Sequence, residues 1–93
     1  MSGAPKQLKL EIDKSTARGQ YTNMAVIAHT RDEFLIDFAL LYPGQPPQVG
    51  ARIITSPAHA KALLRSLEDN LRRYEARFGA IHEPQPRPSE DQN

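Results

Sequence analysis

The longest periodic stretch of the chain runs from Ser56 to Gly79, where Ala60, Leu63, Leu64, Leu67, Leu71, Tyr74 and Phe78 recur at spacings of three and four. Such spacing lines one stripe of a 3.6-residue helix. Ser56 suits the N-cap, since its hydroxyl accepts from an amide of the first turn, and Pro57 fits the first helical position, where its missing N–H is not needed. Gly79 supplies the residue that tolerates a left-handed C-terminal cap. Charged residues fill the other sides, with Arg65 and Asp69, Glu68 and Arg72, and Asp69 and Arg73 four residues apart. Each such pair contributes only about 0.2–0.5 kcal/mol. The stripe therefore needs an apolar surface to pack on, and a sheet of the same chain is the first candidate.

Upstream the period changes from near four to two. Leu8, Leu10 and Ile12 alternate with Lys9 and Glu11, which predicts a first, half-buried strand. Asp13 to Gln20 is polar, contains Gly19 and reads as a loop. Tyr21 to His29 and Phe34 to Leu41 predict two further strands, joined by the short polar connector Thr30 to Glu33. With the turn centred on Arg31 and Asp32, His29 opposes Phe34, Ile27 opposes Ile36, Ala25 opposes Phe38 and Asn23 opposes Leu40. The opposite face carries Met24, Val26, Ala28, Leu35 and Ala39 and is also mostly apolar, unlike the polar outer face of a one-layer sheet. Something covers both faces. The prolines of Tyr42 to Gln48 exclude that stretch from a sheet, and Val49 to Ile54 alternates again as a last strand that leads into Ser56.

The ends lack apolar pattern. Met1 to Pro5 reads as a disordered arm, and 82–93, with a proline at every second position from Pro84 to Pro88, reads as an extended, solvated tail. Residues 6–81 are then a single domain. A net charge of +1 does not favour a protein whose affinity rests on a broad basic surface. With no cysteine, disulfides, thiolate metal sites and thiol nucleophiles are excluded. No apolar run is long enough for a signal sequence or membrane span, so the expected location is the cytoplasm.

Few residues suggest chemistry. His29, His59 and His82 have none of the helical spacings that set two metal ligands on one face, and the sequence indicates no cofactor. His59, in the first turn of the helix, reads as a surface or interface side chain. Asp37 stands in an otherwise apolar strand, where an unpaired carboxylate is costly; Arg52 is the expected partner, with His29 second. An ion pair that fixes register or assembly is preferred to a catalytic acid, because no second acid or nucleophile accompanies it. Asn23 is expected to tie down a neighbouring strand end or loop with its amide. Arg65, Arg72 and Arg73 are candidate contacts for an anion or nucleic acid, although interleaved acids favour an ordinary solvated face.

Several blocks, in order and spacing, resemble a known family: Tyr21-Thr22-Asn23, Glu33 to Phe38, Pro43-Gly44, Ala51 to Ile54, Ser56 to Lys61, and Tyr74-Glu75 to Phe78-Gly79. The chain is similar over Tyr21 to Ile81 to an uncharacterised bacterial family known as domain of unknown function thirty-four sixty-seven. That resemblance implies domain limits and assigns no site residues. A looser analogy of architecture points to the secretion chaperone SecB, which also places antiparallel strands before a helix and assembles as an oligomer. The fold expected is α+β, a small antiparallel sheet of three to four strands followed by one long C-terminal helix. The function expected is a non-enzymatic protein-interaction module that forms a homodimer or higher homo-oligomer and also meets an outside protein partner. A nucleic-acid binder using the helix arginines and a SecB-like chaperone oligomer are the alternatives.

Overall fold

A computed structural model of the chain describes residues 8–84. The arm expected over 1–5 and the tail beyond Pro84 lie outside the described residues. In chain order the elements are α1 (Lys14–Ala17), β1 (Met24–His29), β2 (Phe34–Leu40), β3 (Gln48–Thr55) and α2 (Pro57–Phe78). The strands form one antiparallel sheet in the order β1-β2-β3, and the fold class is α+β.

Two expectations are corrected at the N-terminal side. Leu8 to Ile12 is not a strand: it carries no regular structure, and Leu10 is 86% exposed. β1 and β3 are edge strands, but Leu8 to Ile12 pairs with neither, and alternation alone does not make a strand. The segment read as a loop instead holds the single turn α1, because Asp13 Oδ1 accepts from Thr16 N–H at 2.9 Å. That is the capping reaction that makes aspartate a helix starter, and it holds the Asp13 carboxyl below its ordinary pKa.

The β1–β2 hairpin follows the expected turn. Thr30 N–H donates to Glu33 C=O at 2.9 Å, while Thr30 Oγ1 accepts from both Asp32 and Glu33 N–H at 3.2 Å. This register brings His29 opposite Phe34. At the far end it slips: Asn23 N–H donates to Ala39 C=O at 3.1 Å, so Asn23 meets Ala39 and Leu41 rather than Leu40. β1 accordingly starts at Met24, not Tyr21. Pro43 and Gly44 take the centre of the next turn, closed from Gln45 N–H to Tyr42 C=O at 3.2 Å, as Pro-Gly favours.

The helix runs as its end signals predict. Ser56 Oγ accepts from His59 N–H at 3.1 Å, and Ser56 C=O accepts from Ala60 N–H at 2.9 Å. At the other end Gly79 donates its N–H to Glu75 C=O at 2.9 Å, but at φ 103° and ψ 168° it is not in the left-handed helical conformation expected of it. A side chain is strained at that φ, so glycine is the residue that fits. Glu75 Oε2 then accepts from Ile81 N–H at 2.9 Å, which turns the chain back until Ile81 and Leu71 line the same shallow recess.

Contacts divide the chain into two compact units. One comprises the chain up to His29 together with Leu35–Ile54; the other comprises Thr30–Phe34 together with the chain from Thr55. Among the described residues only Ile36, at 7% exposure, and Ala39, at 3%, are buried hydrophobics. Both lie in β2, which has a neighbour on each side, and they point to opposite faces of the sheet.

Candidate interaction surface

In the sheet unit, Asp37 of β2 and Arg52 of β3 form a two-pronged ion pair. Arg52 Nε donates to Asp37 Oδ1 at 2.7 Å and Arg52 Nη2 to Oδ2 at 2.8 Å. The fork of the guanidinium matches the carboxylate in one geometry only, so the pair fixes the β2–β3 register. The Asp37 side chain keeps 16% of its exposure, against 57% for Arg52. The guanidinium hydrogen bonds hold the Asp37 carboxyl below its ordinary pKa, and the carboxylate raises that of Arg52 in turn.

A pH dependence follows from the sign of that shift. A carboxyl whose pKa is depressed by folding contributes stability that is complete above the unfolded value, about 3.9 for aspartate, and is lost as pH falls through the folded value. Asp37→Asn should therefore lower the urea midpoint at pH 7, and the gap between parent and variant should close below about pH 4. A gap that stays constant down to pH 2 would show that the carboxylate charge has no part in it. Using the difference cancels Asp13, which titrates in the same direction.

Two residues along from that pair, Ala39 and Gly50 share the same face. The Gln20 side chain lies over Gly50, where a Cβ would collide with it. Gln20 thus occupies the space that a larger residue of β3 would fill, and Ala39 is the better covered of the two core residues. Asn23 closes the same end of the sheet. Its Oδ1 accepts from Leu41 N–H at 2.8 Å and its Nδ2 donates to Leu41 C=O at 3.1 Å, so the side-chain amide continues the ladder past the last residue of β2. Of the other residues singled out on the second face, Met24 and Leu35 are half-buried and Val26 is exposed; His29 ends β1, exposed. Ile27 and Ile53, on the first face, are exposed as well.

In the helix unit no residue of α2 is buried. The large side chains of its stripe run from 42% exposure at Leu71 to 66% at Phe78, and Ala60 is half-buried. The Tyr74 and Phe78 rings stand 5.0 Å apart, with the Arg77 guanidinium 5.3 Å from the Phe78 centroid. At the opposite end Phe34, Pro57, Ala60, the Lys61 stem and Leu64 line an almost wholly apolar recess. Ser56 Oγ and His59 Nδ1 are 2.9 Å apart, but the hydroxyl already accepts the first-turn amide and acts as the cap. Arg73 is held by Asp69 at 2.7 Å; Arg65 and Arg72 are exposed on α2. Sequence reasoning missed the recess, since Phe34 reaches it from the hairpin. It also missed Gln20 over Gly50 and Glu75 at the helix end. The Ser-x-x-His spacing was the available signal for the His59 contact.

Fold and surface together define a small α+β chain with an apolar helix stripe and exposed apolar side chains on β1 and β3. It belongs to the family described as "Protein of unknown function (DUF3467)", whose model matches residues 1–83. The match reaches well beyond the Tyr21 to Ile81 of the sequence resemblance. Comparison with curated proteins finds no match, and neither does comparison with solved structures. Among the described residues no helix is long and apolar enough to cross a membrane.

Proposed function

We propose that this chain is a non-enzymatic, cytoplasmic protein-interaction module that works as a homodimer or higher homo-oligomer. The observation that carries the reading is the α2 stripe, whose leucine, tyrosine and phenylalanine side chains from Leu63 to Phe78 are each at least 42% exposed. An apolar helix stripe is stable where a second surface covers it. A larger assembly leaves sheet surface for an outside protein. Binding of nucleic acid by Arg65, Arg72 and Arg73 is the weaker reading, because Asp69 already occupies Arg73. A chaperone-like oligomer would need the apolar faces to stay open after assembly.

Light scattering tests the proposal. The full chain should show a mass of at least twice its 10.4 kDa at micromolar concentration. A stable, folded species of single-chain mass would overturn it and leave the sheet faces and stripe as surfaces for another molecule.

A further inference from the structure

We propose that α2 pairs with α2 of a second copy, antiparallel and centred near Asp69, so that Phe78 of each chain enters the recess lined by Phe34, Pro57, Ala60 and Leu64 of the other. This rests on the homo-oligomer reading above and specifies which surface meets which. The spacing is the first argument. Ala60, Leu64, Leu67, Leu71, Tyr74 and Phe78 alternate by four and three without a break, which is the seam of a two-helix coil. The seam stays on one side of the helix along its whole length, so a second straight helix can follow it at a shallow angle.

Shape is the second argument. The most exposed member of the stripe, Phe78, stands at one end, and the apolar recess stands at the other. Eighteen residues separate Ala60 from Phe78, about 27 Å along the axis. A two-fold axis beside Asp69 exchanges these ends, and both aromatic knobs are seated at once. The same register sets Leu64 against Tyr74 and Leu67 against Leu71, with the small Ala60 opposite the large Phe78. Volume is thereby matched at each layer.

Charge is the third. Flanking the seam, Lys61 falls beside Glu75 of the second copy, twice by symmetry. Glu75 uses Oε2 for Ile81 N–H, which leaves Oε1 for the ammonium. On the other flank Asn70 meets Asn70 of the second copy, and an amide both donates and accepts. The one like-charge meeting, Glu68 with its own copy, has Arg72 one turn away on each helix. A parallel pair fares worse on every count: Leu63 and Asn70 would face Glu68 and Glu75, the Phe78 rings would meet each other, and both recesses would stay open.

The chain has no cysteine, so single cysteines report the register under mild oxidation. Asn70→Cys should become a disulfide-linked dimer. Leu63→Cys and Arg77→Cys should each stay unlinked alone and link to each other when the two chains are mixed and reassembled, because residue 63 faces residue 77 across the axis. Circular dichroism confirms that each variant keeps its helix. If the parent is an oligomer by light scattering but Asn70→Cys stays unlinked, the helix pairing is overturned and the oligomer stands. If the parent is a folded single chain, both readings fall.

Discussion

Leu67→Glu should return the protein to single-chain mass at concentrations where the parent is assembled. Leu67 sits at the middle of the α2 stripe and is 53% exposed in the single chain, so assembly is what buries it. Fully burying a leucine side chain contributes about 1.5–3 kcal/mol; about half of that remains to be gained at Leu67, and a symmetric dimer loses it twice. The resulting loss of about 1.5–3 kcal/mol weakens assembly by at least tenfold, before the cost of desolvating a carboxylate is added. Glutamate is as good a helix former as leucine, so the effect is not one of helix propensity. Ala76→Glu, which adds the same charge on the side of α2 away from the stripe, should leave the mass unchanged. Sedimentation or light scattering over a dilution series distinguishes the two. An assembled Leu67→Glu chain would mean that the stripe is not the interface.

The second large effect belongs to Asn23. Asn23→Ala should lower stability by about 1–2 kcal/mol, the net worth of two hydrogen bonds that water partly replaces at an exposed site. The loss concerns both main-chain groups of Leu41, because the amide donates to one and accepts from the other. Asn23→Asp should not rescue it, since a carboxylate keeps the bond from Leu41 N–H but places a second acceptor against Leu41 C=O. Urea unfolding measures the loss, and amide exchange at Leu41 should quicken in both variants. An unchanged midpoint together with unchanged exchange would show that the bracket adds nothing to the strand end.

How much of this was readable in advance differs between elements, for physical reasons. The limits of α2 were legible because capping is local: Ser56 and Gly79 satisfy main-chain groups within four residues of themselves. The hairpin turn was legible for the same reason. The Asp37–Arg52 pair spans two strands, yet it could be anticipated, because one carboxylate in an apolar strand calls for a cation at matching register and Arg52 stands there. Leu8 to Ile12 was misread because alternation describes the two faces of a strand and is silent on whether the segment pairs with an edge. The slip at Asn23 was invisible, since a side chain that imitates a peptide group displaces the ladder by one residue.

By itself, then, the sequence determined the helix and its ends, three strands with their turns, and the need of the stripe for a partner. These follow from spacing and from short-range hydrogen bonding, which a linear chain displays directly. Only the tertiary structure decided that Gln20 lies over Gly50, that Asn23 closes the sheet on Leu41, and that Phe34 joins Pro57, Ala60 and Leu64 in a recess at one end of α2. Each of these brings together residues from different elements, and such meetings depend on where folded elements pass in space, which neither period nor composition encodes.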